Sequence, residues 1–419
     1  MVFILTSLIG LLLVAGALWF LFFSNRKKSS ERVRTVKSSQ TTDDKAISKS
    51  ASPDRRAQPR ATATLSAQSS ALPAVAPRPS FADKAAAQLA ELTARQPARS
   101  AEPAPPALLA FVWQRAEGLP AERTQALLDG LRRTPPPSRA FHQLISPQFV
   151  ARASSGELSD LVMGEPQVAA KVLAVVNSAA YGLQTPVSAI GQAVTFLGLN
   201  SVRSICLQYM LSAPFKADTP AQQQRFDEIW FAGAVASELC FRLAQQLRLP
   251  DPGALVTQVV LSFLGHFAGT ASMPKQGIAS AADPHSLLAR AELEQLALGA
   301  PAAEIGGLLL REWALPASLI TEVVDIDRLL VTPPGEHEAA RAAGLAVCYL
   351  SARLGEKLSR GEAVDLTSFD PRAQADADYF HLAAYIDALP QLARLPEVLR
   401  APDLVRAVQN LLTGLRKSG

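Results

Sequence analysis

The chain has 419 residues, 48% of them hydrophobic, with a formal net charge of +4 and three cysteines. This length suggests two or three folded units, and the apolar content is ample for a sizeable core. The positive charge belongs to residues 24–100, which hold 15 Lys and Arg against 6 Asp and Glu, a net of +9; residues 101–419 hold 26 against 31, a net of −5. The folded part therefore gives no reason to expect nucleic-acid binding. Cys206, Cys240 and Cys348 are scattered, which indicates buried thiols and argues against disulfides or a zinc site.

The first apolar segment, residues 2–23, runs for 22 residues without a charge. At about 1.5 Å per residue, a helix of this length spans roughly 33 Å, enough for the hydrocarbon core of a bilayer. No basic residue precedes it, and it ends in aromatic residues instead of a small-residue cleavage site, so an uncleaved transmembrane anchor is predicted. Arg26, Lys27 and Lys28 follow at once, which predicts a single-pass inner-membrane protein with its N-terminus outside and its main domain in the cytoplasm.

Residues 24–106 are rich in Ala, Pro, Ser and Arg and show little periodicity, which predicts a disordered linker. Its basic juxtamembrane part is able to bind anionic headgroups, and it is equally explained as a topology signal and solvated linker. A short helical lead-in is predicted over residues 107–133, before the proline-rich break at Thr134–Pro137.

Beyond this break, apolar residues recur at helical spacing, with Gly, Pro and polar residues at the joins and no sustained strand-like alternation. The predicted fold class is all-α, with a multi-helix domain over residues 134–330 and a C-terminal helical extension over residues 331–419. The predicted helices are 107–114, 121–133, 156–163, 167–177, 189–197, 202–212, 222–248, 254–271, 284–298, 302–313, 316–330, 336–357, 375–389 and 404–415.

Residues 157–198 contain two helical apolar patterns separated by an Asn-Ser-Ala-Ala-Tyr-Gly break. Asn177 and Ser178 are expected to end the first helix, because short polar side chains compete for backbone hydrogen bonds. Ser188 is expected to cap the second helix, and Gly198 to end it. These structural roles explain every residue of the block without any chemistry.

The same block resembles an HDOD domain, a bacterial signalling module related to the HD metal-dependent phosphohydrolases. The resemblance depends on Glu165-Pro166, on Asn177-Ser178-Ala179 with Tyr181 beyond it, and on the Ile190 to Gly198 passage. The Ile-Trp passage at Trp230 and the Glu-Trp-Ala-Leu-Pro passage at Trp313 add to it. It covers residues 134–330, and Glu165 departs from the family's usual Asp. By this resemblance, Asn177, Ser178, Tyr181, Trp230 and Trp313 are residues of the fold or of an interaction surface.

The resemblance also locates the positions at which catalytic HD relatives hold their metal ions. Here those positions are Ala232, Ser262, Phe263, Ala302, Ile326 and Asp327. An HD hydrolase needs imidazoles and carboxylates converging on one or two divalent ions. None of the six positions is a histidine, and Phe263 replaces the Asp of the His-Asp pair. Loss of the metal site is therefore predicted, with no catalytic residue, metal ligand or cofactor.

Other residues near these positions are interpreted without chemistry. His266, four residues after Ser262, is interpreted as a surface or hydrogen-bonded core histidine. Asp325 and Asp327 are two apart on a helix and are expected to point to different sides. No phosphate loop, zincin motif or nucleophile elbow occurs in the sequence.

The leading hypothesis is a membrane-tethered, non-catalytic HDOD signalling or scaffold protein. It would bind a protein partner, or a nucleotide-like ligand, through a groove derived from the lost active site. The alternatives are a metal-dependent phosphohydrolase or phosphodiesterase with an unorthodox site, and a structural module of a membrane-associated assembly.

Overall fold

The computed structural model describes residues 103–178, 181, 183–273, 286–362 and 364–418, with the side chains of 339 and 414–418 left out. They all belong to one compact unit of the chain, Pro79–Gly419. The predicted anchor at 2–23 and residues 24–102 of the predicted linker lie outside the described residues. Both therefore stay predictions.

The described residues are helical throughout, with no strand among them, which confirms the all-α class. The helices are α1 (Pro106–Ala110), α2 (Ala121–Leu131), α3 (Arg139–Ile145), α4 (Pro147–Arg152), α5 (Ser155–Met163), α6 (Pro166–Val176), α7 (Ile190–Leu197), α8 (Leu199–Ser212), α9 (Pro220–Gln246), α10 (Pro252–Ser272), α11 (Leu287–Leu298), α12 (Ala302–Glu312), α13 (Ala317–Arg328), α14 (Ala339–Ser359), α15 (Phe380–Ala388), α16 (Leu395–Leu399) and α17 (Pro402–Ser418). Short 3-10 helices lie at Ala116–Gly118, Leu329–Val331, Pro371–Ala373, Ala377–Tyr379 and Pro390–Leu392.

The helix termini carry the expected sequence signals. Ser154 and Glu157 form a reciprocal capping box at the start of α5. Proline occupies the first position of α6, α9 and α10, where its missing N–H costs nothing. The prediction for Ser188 is wrong: α7 begins one residue later, with Ala189 as its N-cap and no side-chain cap. The Ser188 amide instead donates to the Gln192 side chain at 3.3 Å.

At the centre of the core, α9 packs against α10 and α14, and glycines allow close approach between helices there. A Cβ at Gly355 of α14 would lie 2.5 Å from the Ala232 carbonyl oxygen of α9. The backbones of α10 and α12 meet at Gly265 and Gly306, where an added Cβ would collide with the opposite backbone. These close approaches bring α9, α10, α12 and α14 around one volume.

The C-terminal helices are part of the same core. Tyr349 of α14 is fully buried, and its hydroxyl donates to the Asp378 carbonyl at 2.7 Å. The Asp378 carboxylate in turn accepts the first two amides of α11, Leu287 and Leu288, at 2.6 and 3.0 Å. Residues beyond 330 thus cap and cover helices that precede 330.

One helix of the described part, Pro252–Ser272, is long and apolar enough to cross a membrane. However, 78% of its most apolar window is buried inside the protein, which is what a central core helix requires.

Candidate functional site

A buried group of charged side chains includes Asp327 and lies beside several of the other positions at which catalytic HD relatives hold metal ions. This group consists of His266 on α10, Arg290 and Glu294 on α11, Asp327 on α13, and Arg353 and Glu356 on α14. We call these six residues the ionic cluster.

Arg353 is the centre of the ionic cluster, and only 2% of its side chain is exposed. Its Nη2 donates to Asp327 Oδ1 at 2.9 Å, and its Nη1 lies 3.3 Å from Glu356 Oε2. His266 Nε2 lies 3.5 Å from Asp327 Oδ2 and 3.7 Å from Glu356 Oε1. A guanidinium therefore binds the two carboxylates that face the imidazole.

Arg290 extends the ionic cluster toward α12. Its Nη1 pairs with Glu356 Oε1 at 2.9 Å, and its Nε lies 3.8 Å from Glu294 Oε1. The other oxygen of Glu294 accepts the Ala302 amide at 2.7 Å, at the first residue of α12. Glu294 thus connects the cluster to Ala302, at one of the positions where catalytic HD relatives hold a metal ion.

Burial and mutual attraction set the protonation of these groups. Burial and the Arg290 charge lower the pKa of His266 to about 4, although Asp327 and Glu356 oppose them, so the imidazole is neutral at neutral pH. Burial alone would raise the pKa of Glu356, but Arg290 and Arg353 bring it down to about 2. Burial raises the pKa of Glu294 to about 7, against the opposing effects of Arg290 and the Ala302 amide.

Burial alone would likewise lower the pKa of Arg353, but the Glu356 and Asp327 carboxylates raise it, and the net shift is upward. Arg353 and Glu356 are therefore both charged at neutral pH and pair with each other in a buried environment.

The six predicted metal-ligand positions differ in how they contact the ionic cluster. Asp327 belongs to the cluster itself, Ala302 donates to it, and the Phe263 ring lies 5.5 Å from the His266 ring in an edge-on contact. Ala232 lies against Gly355, next to Glu356. Ser262 and Ile326 are buried elsewhere in the core, and the Ser262 hydroxyl donates to the Val259 carbonyl at 2.8 Å.

Sequence reasoning missed Arg290, Glu294, Arg353 and Glu356. A signal was available in α14, where Arg353 interrupts a continuous apolar stretch. His266 was predicted to be either a surface histidine or a hydrogen-bonded core histidine. It is buried in the core, and neither of its ring nitrogens has a hydrogen-bond partner among the described residues, so both alternatives are wrong. Asp325 and Asp327 do point apart: Asp325 accepts from Arg328 and Arg341.

The residues present do not fit a divalent metal ion. Over the described ranges, no group of three or more His, Cys, Asp and Glu side chains is arranged to hold one. His266, Asp327 and Glu356 come nearest, but guanidinium groups already occupy both carboxylates. The cluster side chains are themselves buried, and the groove expected at this place stays a prediction.

The family-motif residues form structural contacts instead of a second reactive site. Asn177 ends α6, and its amide group bonds both the N–H and the C=O of Val187, at 2.7 and 2.8 Å. Tyr181 meets Phe196 edge to face at 6.0 Å, and burial with the Glu238 charge raises the pKa of Tyr181 to about 12. Asn177 therefore ties together the ends of the loop that the motif encodes.

The two motif tryptophans are both packed. Lys171 lies over the Trp230 ring at 4.5 Å, and Trp313 is buried against Phe141 with ring centroids 6.2 Å apart. The Ser178 hydroxyl is buried as well, with no hydrogen-bond partner among the described residues. These residues therefore have structural roles in the fold.

Glu304, in the Glu-Ile-Gly passage after Ala302, anchors the lead-in. Its buried carboxylate accepts from the Trp113 indole at 2.9 Å, the Ala116 amide at 3.1 Å and Arg328 at 2.6 Å. The segment that enters the structure from the linker is thus fixed to α12 and α13.

A cavity of about 420 Å³ lies between α2 and the C-terminal ends of α10 and α11. Its lining includes Arg123, Arg133 and Phe215, and none of the ionic cluster. Arg123 is already bound to the Leu298 and Ala297 carbonyls. The cavity is therefore separate from the ionic cluster.

Comparison with protein families matches residues 135–327 to the HDOD domain. This match confirms the resemblance to the HDOD domain over these residues. No curated protein is significantly similar to the chain.

Three solved structures match the chain at low identity. An HDOD domain protein of unknown function from Geobacter sulfurreducens is 15% identical, with a TM-score of 0.47, and the match covers 68% of this chain and 98% of that one. A candidate phosphohydrolase from Shewanella amazonensis is 19% identical, with a TM-score of 0.44 and coverages of 69% and 98%. A candidate signal transduction protein from Marinobacter aquaeolei is 20% identical, with a TM-score of 0.44 and coverages of 73% and 64%. At these values the likenesses support no statement on activity, and the HDOD assignment depends on the family match.

Proposed function

We propose that this protein is a non-catalytic HDOD signalling or scaffold protein, tethered to the inner membrane by residues 2–23, whose cytoplasmic body binds a protein partner. The ionic cluster is the observation that carries the non-catalytic part. A catalytic HD site needs open coordination positions and a place for substrate beside the metal. Here two guanidinium groups occupy the carboxylates, and the side chains involved are buried.

The partner would bind outside the ionic cluster, since its side chains are buried. The half-exposed and exposed aromatic side chains around the HDOD motif, Tyr181, Phe196 and Trp230, suit a protein interface, where aromatic residues are enriched. A membrane tether would raise the effective concentration of the body toward any membrane-bound partner.

Metal analysis of the purified full chain in detergent tests the non-catalytic proposal. We expect far less than one equivalent of Mn, Fe or Mg per chain, and no turnover of cyclic dinucleotides. The matched variants are Asp327→Asn, within the cluster, and Asp325→Asn, which pairs with other arginines. Stoichiometric metal and turnover that Asp327→Asn abolishes and Asp325→Asn keeps would establish the phosphohydrolase alternative.

Fractionation of cells tests the tether and the partner. The full chain should remain in membranes after an alkaline wash, and a chain lacking residues 2–23 should be released. Cross-linking and pull-down of the full chain from membranes should enrich one protein reproducibly. Failure of such enrichment would count against partner binding, and recovery of the full chain in the soluble fraction would overturn the tether.

A further inference from the structure

The cavity of about 420 Å³ beside α2 lies between the lead-in and the helices that match the HDOD domain. Its first wall is α2, together with Arg133 and Thr134 just beyond the end of that helix. Its second wall consists of the last turns of α10 and α11. Small-molecule sites commonly have volumes of about 300–1,000 Å³, so this cavity is large enough for a ligand.

The cavity lining includes aliphatic and aromatic side chains from both walls. Leu127 and Leu131 line it from α2, and Ala268 lines it from α10. Phe215 adds an aromatic ring, which is stacked on the Phe267 ring with centroids 5.6 Å apart. The cavity therefore offers a preformed apolar surface to the body of a ligand.

The charged residues of the lining are both arginines, Arg123 and Arg133, and no aspartate or glutamate is among the lining residues. Arg123 is bound to the carbonyls at the end of α11. Arg133 has no ion pair and no side-chain hydrogen bond among the described residues. Its guanidinium lies back along α2, since a Cβ at Gly130 would be 3.8 Å from Arg133 Nη2. One guanidinium at the cavity is therefore available for an anionic group.

Three helices, α2, α10 and α11, end at this cavity, and the unpaired carbonyls of helix C-termini favour cations. Here such carbonyls already have donors. The Leu131 carbonyl of α2 accepts the Thr134 amide at 2.9 Å. The Thr270 carbonyl of α10 accepts from the Gln222 side chain at 3.4 Å, and Arg123 binds the end of α11. The two guanidinium groups therefore set the charge preference of the cavity, which is for an anion.

We propose that this cavity binds a small organic anion, with an apolar body against the aliphatic wall and a carboxylate, sulfonate or phosphate group on Arg133. The Thr134 and Ser272 hydroxyls are further donors in the lining, and neither forms a hydrogen bond among the described residues. Because α2 precedes the HDOD match whereas α10 and α11 belong to it, a bound anion fixes the lead-in to that domain. The site shares no residue with the ionic cluster and does not depend on the membrane tether.

Protection of introduced thiols in the purified full chain tests the site. Ala126→Cys and Ala271→Cys each place a thiol at an exposed lining position, one on each wall. The three native cysteines are buried, so iodoacetamide reacts selectively with the new thiol. The probe is 1-naphthalenesulfonate, an anion with an apolar body, and its neutral counterpart is 1-naphthalenemethanol. We expect the sulfonate to slow alkylation at both positions and the alcohol to protect far less. Met163→Cys, at an exposed position on α5, should be protected by neither.

Arg133→Gln, added to Ala271→Cys, measures the contribution of the charge. We expect about tenfold weaker binding of the sulfonate, as the loss of one hydrogen bond to a charged group implies. The matched control is Arg132→Gln, because Arg132 is exposed, pairs with Glu312 and is not in the lining. This variant should keep the affinity of the Ala271→Cys chain for the sulfonate.

Each of the other outcomes would overturn the proposal. Absence of protection by the sulfonate would show that the cavity is not a site for such anions. Equal protection by the alcohol would show that it has no preference for an anion, and protection at only one of the two positions would contradict a ligand that bridges the walls. Equal losses in Arg132→Gln and Arg133→Gln would assign the effect to the overall surface charge instead of Arg133.

Discussion

At the scale of single residues, Glu294 differs from an ordinary carboxyl in its pKa. Burial raises its pKa to about 7, well above the usual range of a glutamate carboxyl, so the folded protein binds a proton that the unfolded chain releases. Its contribution to stability is therefore complete below about pH 4.5 and is lost as the pH rises through about 7. Glu294 thus opposes Glu356, whose stabilising charge is lost only at acidic pH.

Glu294→Gln keeps an oxygen for the Ala302 amide and removes the titration. We expect the stability of the variant relative to the native protein to increase between pH 5 and pH 8, on the order of 3 kcal/mol. Urea unfolding of both full chains at several pH values measures this, and the titrations of His266 and Asp378 cancel in the difference. The exposed Glu292→Gln on the same helix is the control. Equal pH profiles for Glu294→Gln and the native protein would contradict the prediction.

At the scale of elements, Asp378 shows how a short C-terminal turn fixes the start of α11. Its two oxygens accept the Leu287 and Leu288 amides, while Ser286 accepts the Ala289 amide at 3.2 Å. We expect Asp378→Ala to destabilise the protein by about 2 kcal/mol, because two buried donors lose their acceptor, and to speed hydrogen exchange at Leu287 and Leu288. Ser286→Ala removes one exposed cap and should cost less, about 1 kcal/mol. A smaller loss for Asp378→Ala than for Ser286→Ala would show that the capping is not structural.

The same scale shows what the sequence could predict. Long helices such as α9, α10 and α14 followed from apolar periodicity, with bounds within three residues of those found. The short α3 and α4 were not predicted, because helices of six or seven residues hold too little periodicity, and these two follow a proline break. The N-cap of α7 is Ala189, one residue after the predicted Ser188. A cap depends on exact backbone geometry, and the Ser188 amide bonds the Gln192 side chain instead.

The site was predictable only in part, because its residues come from helices that are distant in the sequence. Asp327, Phe263 and Ala302 were located by the order of the HDOD passages along the chain. The guanidinium groups that pair with Glu356 and Asp327 come from Arg290, on a different helix from either carboxylate, and Arg353, outside the family match. Which residues meet at this centre depends on how distant helices pack, and no local pattern encodes that packing.

At the scale of the whole molecule, the packing of α14 indicates that the folded unit extends beyond residue 330. The α14 helix lies along α9, with Val347, Leu350 and Leu354 fully buried. Its loss would expose that face of α9 and also remove Arg353 and Glu356, leaving Asp327 as a buried carboxylate without its guanidinium partner. An unpaired buried charge of this kind costs about 3–5 kcal/mol, a large part of the stability of an ordinary domain.

We therefore expect a chain ending at Leu330 to lose cooperative unfolding and to be digested rapidly by protease. A chain ending at Ala401, which removes only α17, should keep both properties with reduced stability, since that helix packs on the outside of α9. Thermal unfolding and limited proteolysis of the two truncated chains measure the difference. A structural-module protein whose C-terminal helices serve only for docking would give the opposite result, with residues 134–330 folded and resistant after the deletion. That outcome would show that the buried contacts of α14 are dispensable, and the pairing of Arg353 with Asp327 would then stabilise the fold far less than its burial implies.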